Sequence, residues 1–341
     1  MEFIVQGDAV TDRAVEIAGF LSQQGWEKAQ QTPFPADFSP RRYARLVNEY
    51  KAPSCAILMD ADRDQKTPQF VAIANLLRSL DLSAPEIYAS DPDRGLVLME
   101  DFGDRNYGNM IDVGDDAKPY YMRAVDVLVH LHQHYDVAMT QDLSLPRYEA
   151  RLFIDQSGLF LDAYFLYKKG REAHAEERTA FYAAWQQSLG VIENIPQTLM
   201  LRDFMLDNLM DLPARAAWRA VGLLDFQDAG LGPIAYDLAS LCEDVRRDGG
   251  DRMLDQVIDY YYRQSQPPYP LDYLRSACRV LAAQRHVRIL GILVRLAVGQ
   301  GRRDKLAYVP RIWGYLDYLL QDKVLEPLRL WMRDHITDEM R

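Results

Sequence analysis

Residues 199–212 read L-M-L-R-D-F-M-L-D-N-L-M-D-L, and residues 219–239 continue R-A-V-G-L-L-D-F-Q-D-A-G-L-G-P-I-A-Y-D-L-A. Two short apolar runs, 208–212 and 221–224, flank a polar turn at 213–218, which is the pattern of a β-hairpin. A hairpin returns the chain on itself, so Asp225 at the end of the second strand comes back toward Asn208 at the start of the first. Asp203 lies on the loop just before them. Two carboxylates and an amide are therefore expected to gather in one small volume.

Carboxylate and amide oxygens are hard ligands, and Mg²⁺ usually takes only one or two of them from a protein. A carboxylate left off the metal can accept a proton from an attacking hydroxyl. Asp, four residues, Asn, and later Asp-Phe at a strand end is the order in which eukaryotic-type kinases place base, metal ligand and metal ligand. Here those positions are Asp203, Asn208 and Asp225. Asp and Asn also favour turns for local reasons; the hairpin and the D-F-Q-D run behind the spacing favour the catalytic assignment.

The same residues resemble a known family. Leu201-Arg202-Asp203 through Asn208, followed by D-F-Q-D-A, G-P and Y-D-L-A, is similar to the aminoglycoside phosphotransferase (choline-kinase-like) superfamily. Within it, the wording is most similar to bacterial anomeric sugar kinases acting on N-acetylmuramate and N-acetylglucosamine in cell-wall recycling. The strong match covers about 45 residues; F-S-P-R-R-Y, G-L-V-L-M-E-D-F-G-D and L-P-R-Y extend it weakly over most of the chain.

That resemblance implies an α+β, protein-kinase-like fold of two lobes. Residues 1–101 would form a small, mostly antiparallel β lobe over the nucleotide, and residues 102–341 an α-rich lobe with the catalytic loop and substrate pocket. It implies ATP and Mg²⁺ as cofactors and a small amino sugar as acceptor. Ser39 and Arg42, in a loop without the G-x-G-x-x-G glycines, would contact phosphate, with Arg41 next in line. Main-chain groups of Glu100 and Phe102 would meet the adenine. Asp155 and Gln156 would lie on the acceptor side. Asp228 is placed with them, although it serves equally well as a second-metal assistant or a turn cap. Asp237 would be a structural carboxylate bonded to loop amides.

Two departures stand out. Met59 occupies the strand position where a protein kinase carries V-A-I-K, and no glutamate follows to pair with such a lysine. Leu201 stands where the loop histidine is usual, a position that suits packing. An aminoglycoside or choline-type kinase is the alternative within the family, and a silent nucleotide-binding pseudokinase the alternative outside catalysis.

Composition bounds the rest. The 341 residues, 48% of them apolar, are enough for a large core. A net charge of −11 argues against a nucleic-acid partner. Cys55, Cys242 and Cys278 lie far apart with no C-x-x-C, which is reduced-thiol usage. With no signal-like N-terminus and with Arg288 and Arg295 interrupting the apolar run 287–298, a cytoplasmic protein with no membrane partner is expected. Helical spacing marks 9–24, a helix opened by Thr67-Pro68, 122–132, 252–263, 273–298 and 311–320. His130, His132 and His134, two apart, are not expected to face one another on a helix.

Overall fold

The computed structural model describes residues 6–35, 41–63, 66–247 and 253–341, with side chains from residue 12 onward. The chain forms two compact units, Met1–Asn109 with Asn208–Gln227, and Met110–Asp207 with Asp228–Arg341.

The first unit is organised on a five-stranded antiparallel sheet, β1 (Gln30–Pro33), β2 (Arg42–Val47), β3 (Cys55–Asp60), β4 (Ile87–Asp91) and β5 (Leu96–Met99), in the order β1-β2-β3-β5-β4. Central strand β3 is apolar nearly throughout and buried on both faces, as a strand between two layers must be. Leu46, Ala56, Leu58, Leu96 and Leu98 pack with Phe20, Leu21 and Trp26, which follow from the first helix (Gln6–Gln23). The helix Thr67–Ser79 buries Phe70, Ile73, Ala74 and Leu77. Its cap is Lys66, in the left-handed region at φ 56°, and Thr67 is the first helical residue, itself wholly buried; the cap expected at Thr67 is thus one residue earlier.

A hairpin completes this unit. β7 (Leu209–Asp211) pairs antiparallel with β8 (Val221–Leu223), joined through the turn anticipated from Pro213 to Trp218. It belongs with the sheet unit rather than with residues 102–341, where the sequence boundary had placed it. The reason is hydrogen bonding: Gly222 bridges Ser83, Met210 bridges Asn106, and the Asp211 amide donates to the Arg105 carbonyl at 2.7 Å. Gly222 also lets Phe102 lie flat on the hairpin, since a Cβ there would fall 2.8 Å from the Phe102 ring.

The second unit is helical apart from β6 (Gln197–Met200) paired with β9 (Gly230–Pro233). Its long helix Leu271–Gly299 is buried along most of its length. The helices Ala117–His134, Ala150–Leu159, Ala175–Leu189, Ala235–Cys242, Met253–Ser265, Val309–Leu319 and Glu326–His335 make up the rest. A block of rings, Phe160, Phe181, Tyr164, Trp313 and Trp331, fills part of its core. Four residues apart, His130 and His134 do meet, with ring centroids 4.0 Å apart. Burial pushes His132 down to about 3, and it bonds Tyr261 instead. Among the described residues no cluster of three His, Cys, Asp or Glu could hold a metal, and no helix is long and apolar enough to cross a membrane.

Candidate active site

In the first unit the hairpin places its two ends together. Leu224 N–H donates to the Asn208 carbonyl at 3.0 Å, which closes the register, and Asn208 Nδ2 lies 3.5 Å from Asp225 Oδ2. Asp225 sits at φ 59°, a left-handed turn residue that lifts its carboxylate off the strand. Its other oxygen accepts from Gln227 Nε2 at 2.7 Å. Between them Phe226, 1% exposed, stacks on Phe70 with centroids 5.0 Å apart. The motif's aromatic is therefore the anchor; Asp225 beside it is half-buried, and Gln227, 8% exposed, is buried against it. Asn208 and Asp225 supply two hard oxygens, the number and kind that suit Mg²⁺.

Tyr43, paired with Met59 across β2 and β3, lies near the same carboxylate. Burial pushes its hydroxyl up to about 12; Arg41 opposes the rise and Asp225 adds to it. Arg41, 8% exposed, is thus the buried cation on the Asp225 side of the sheet. Met59 is wholly buried and carries no charge. Arg42, the first expectation for phosphate, is instead turned onto Asp60 at 2.9 Å and Asp62 at 3.8 Å, with Arg13 also on Asp60 at 2.6 Å. Arg42 pairs with Asp60 in the strand register, so the two side chains leave the same face of the sheet. Ser39 lies outside the described residues.

The crossing segment also differs in part. Of the Glu100 main-chain groups, the N–H donates to the Glu86 carbonyl at 2.8 Å. The Glu100 carboxylate takes Arg215, from the hairpin turn, with Arg78 3.8 Å away. Arg215 also donates to Ser83 Oγ at 2.9 Å and lies over the Phe102 ring at 5.3 Å. Around it Arg78, Ser83, Glu86, Glu100, Arg215 and Arg219 line a cavity of about 540 Å³.

In the second unit the loop 201–207 is held at both ends. Asp237, 1% exposed, accepts from Leu201 N–H at 2.6 Å and Arg202 N–H at 2.9 Å. Burial lifts its carboxyl to about 7, while the two amides and Arg285 pull it back and Asp203 adds to the rise. Leu201 is 3% exposed, an apolar plug under the loop. Arg202, at φ 70°, donates to Tyr148 Oη at 2.7 Å, and Tyr148 Oη donates to the Asp228 carbonyl at 3.0 Å. Arg246 holds Asp207 at 2.8 Å, and Arg247 bonds both Asp207 and Asp112. Asp203 is half-buried between these anchors.

Asp155 is engaged away from this loop. Asp155 pairs with Arg151 at 3.1 Å on the helix Ala150–Leu159, in a groove of about 520 Å³ with Tyr182, Gln186 and Glu193. Residues that the sequence did not single out stand in its place. Arg285 and Arg288, from the long helix, feel the charge of Asp203, and Arg285 lies over the ring of Tyr236. In sequence Arg288 reads only as an interruption of the apolar run 287–298, and Arg285 stands just ahead of it in Q-R-H-V-R.

A kinase-type sheet with a displayed Asn–Asp pair in one unit, and a clamped loop aspartate in the other, define the class as a protein-kinase-like phosphotransferase. Residues 30–274 match the phosphotransferase enzyme family (APH), and the chain belongs to that family. It is 31% identical over 323 residues to the N-acetylmuramate/N-acetylglucosamine kinase of Caulobacter vibrioides, covering 92% of this chain and 84% of the relative. It is 30% identical over 299 residues to the protein of the same name from Pseudomonas putida, covering 85% and 83%. The fold is that of the GDP complex of wild-type aminoglycoside 2'-phosphotransferase-IIIa, with a TM-score of 0.60 at 12% identity over 90% of this chain and 98% of the other.

Proposed function

We propose that the enzyme is an ATP- and Mg²⁺-dependent kinase that phosphorylates the anomeric hydroxyl of N-acetylmuramate or N-acetylglucosamine, a step of cell-wall recycling. Asn208 and Asp225 would hold the metal. When bound, Mg²⁺ neutralises charge on the transferring phosphoryl group. Asp203 accepts the proton of the acceptor hydroxyl, and its loop is fixed by Asp237 so that the base does not wander. Gln227 keeps one Asp225 oxygen engaged and leaves the other toward Asn208. Arg41 supplies positive charge where the kinase lysine is missing. Phosphoryl transfer asks mainly for positioning and charge neutralisation, which are what these residues offer.

The observation that carries the choice of acceptor is the charge around Asp203. An aminoglycoside is a polycation and would need carboxylates there; the second unit presents Arg202, Arg285 and Arg288 instead. Together with likeness to amino-sugar kinases over nine-tenths of the chain, this favours a neutral or anionic sugar.

The test is ADP release with Mg·ATP on a panel of amino sugars, choline and aminoglycosides, with phosphorus NMR locating the product phosphate. Asp203→Asn and Asp225→Asn are each expected to lower sugar-dependent turnover at least about 100-fold. Wild-type rates in both would end the assignment.

A further inference from the structure

Three guanidinium groups surround the catalytic loop within the second unit, and none makes an ion pair among the described residues. Arg202 rests on Tyr148, its Cζ 4.6 Å from the ring centroid. Arg285, 6% exposed, donates to Tyr236 Oη at 3.4 Å and lies over that ring at 5.7 Å. Arg288 follows three residues on, hence on the same helix face, and is half-buried. Nε of Arg202 and Nε of Arg285 are buried without a hydrogen-bond partner. Aromatic rings shelter Arg202 and Arg285, and among the described residues no anion meets any of the three at bonding distance. Buried charge in that condition is costly, and a bound anion relieves it.

We propose that Arg288, backed by Arg202 and Arg285, binds the carboxylate of an anionic sugar acceptor beside Asp203. The inference rests on the amino-sugar assignment above. It deepens that assignment, because of the two sugars in the relatives' name only N-acetylmuramate carries a carboxylate, on its lactyl ether. Guanidinium forks recognise carboxylates by two parallel N–H donors, and among the described residues Arg288 makes no hydrogen bond or ion pair. Burial, together with repulsion from Arg202 and Arg285, pulls Arg288 below the usual arginine range, whereas the other two are raised. An incoming negative charge would remove that strain at the point where the acceptor must sit. The site then sets a preference for the acid over neutral sugars while Asp203 serves both.

The test compares kcat/KM for N-acetylmuramate, its primary amide and N-acetylglucosamine in wild type, Arg288→Gln and Arg288→Lys. Wild type should lose about 10- to 100-fold on going from the acid to the amide. Arg288→Gln should lose a similar factor on the acid and a smaller one on the two neutral sugars, so the acid preference collapses. Arg288→Lys should recover part of it. An equal loss on all three sugars, a raised KM for ATP as the main effect, or an amide used as well as the acid by wild type would each overturn the carboxylate site alone. Absence of turnover on all three by wild type would overturn the amino-sugar assignment and this site with it.

Discussion

Asp237→Asn is expected to stabilise the protein at high pH while crippling it as a catalyst. The carboxylate takes one amide on each oxygen, Leu201 N–H at 2.6 Å and Arg202 N–H at 2.9 Å. Asparagine offers one acceptor and one donor, so one buried N–H must face an NH₂ group, which costs about 1–3 kcal/mol. Against this stands the expense of burying the charge. Burial raises the carboxyl from 3.8 to about 7, which corresponds to about 4 kcal/mol once the group is ionised.

The sign follows from proton counting. Between pH 4 and pH 7 the folded chain holds a proton that the unfolded chain has lost, so stability falls as pH rises through that window and levels off above it. The asparagine variant lacks this fall. It should therefore match wild type at pH 4, where the wild-type carboxyl is protonated and likewise offers one acceptor and one donor, and be more stable by up to about 4 kcal/mol at pH 8. Loosening the loop two residues from the base should meanwhile lower kcat about 10- to 100-fold at pH 8. Unfolding midpoints of both proteins at the two pH values, and sugar-dependent ADP release at pH 8, make the comparison. A stability difference that does not change with pH, or an unaltered kcat, would refute the role assigned to Asp237.

Gly291→Ala on the long helix would bring a Cβ to 2.5 Å from the Leu159 carbonyl oxygen; a loss of about 1–3 kcal/mol is expected, read as a lower thermal midpoint. Arg215→Gln removes the bonds from the hairpin turn to Glu100 and Ser83; KM for Mg·ATP should rise about 3- to 10-fold with a smaller change in kcat. Cys242 and Cys278 are buried, and burial pushes both thiols well up, so native protein should release at most one equivalent of chromophore with a disulfide reagent at pH 8 and three after unfolding.

The fold was legible where period and punctuation agreed. The turn residues 213–218 between two apolar runs announced the hairpin, and helical spacing marked nearly every long helix. What escaped was set by long-range partners. Nothing local in 208–227 tells that Ser83 and Asn106 will bond the hairpin and draw it into the sheet unit. Nothing in F-S-P-R-R-Y tells that Asp60 and Asp62 will take Arg42, because their pairing is decided by strand register. The carboxylate of the helix Ala150–Leu159 suits a sugar as a residue type, yet Arg151, one turn earlier, engages Asp155 locally.

The charge of the acceptor side is a further case of local structure overriding a bulk property. A net charge of −11 describes a surface, and beyond about 8 Å at physiological salt such charges are screened. Arg202, Arg285 and Arg288 act at contact range in a medium that screens poorly, so they, and not the sum over the chain, fix the sign that an acceptor meets. Two of the three sit in the long helix, where a reading for apolar periodicity treats a charge as an interruption. An arginine buried in such a run is expensive to fold, and an anion that meets it offsets the cost. Two aromatic hydroxyls satisfy part of Arg202 and Arg285. Arg288 has neither, so its substitution is expected to divide an acidic from a neutral acceptor more sharply than that of either neighbour.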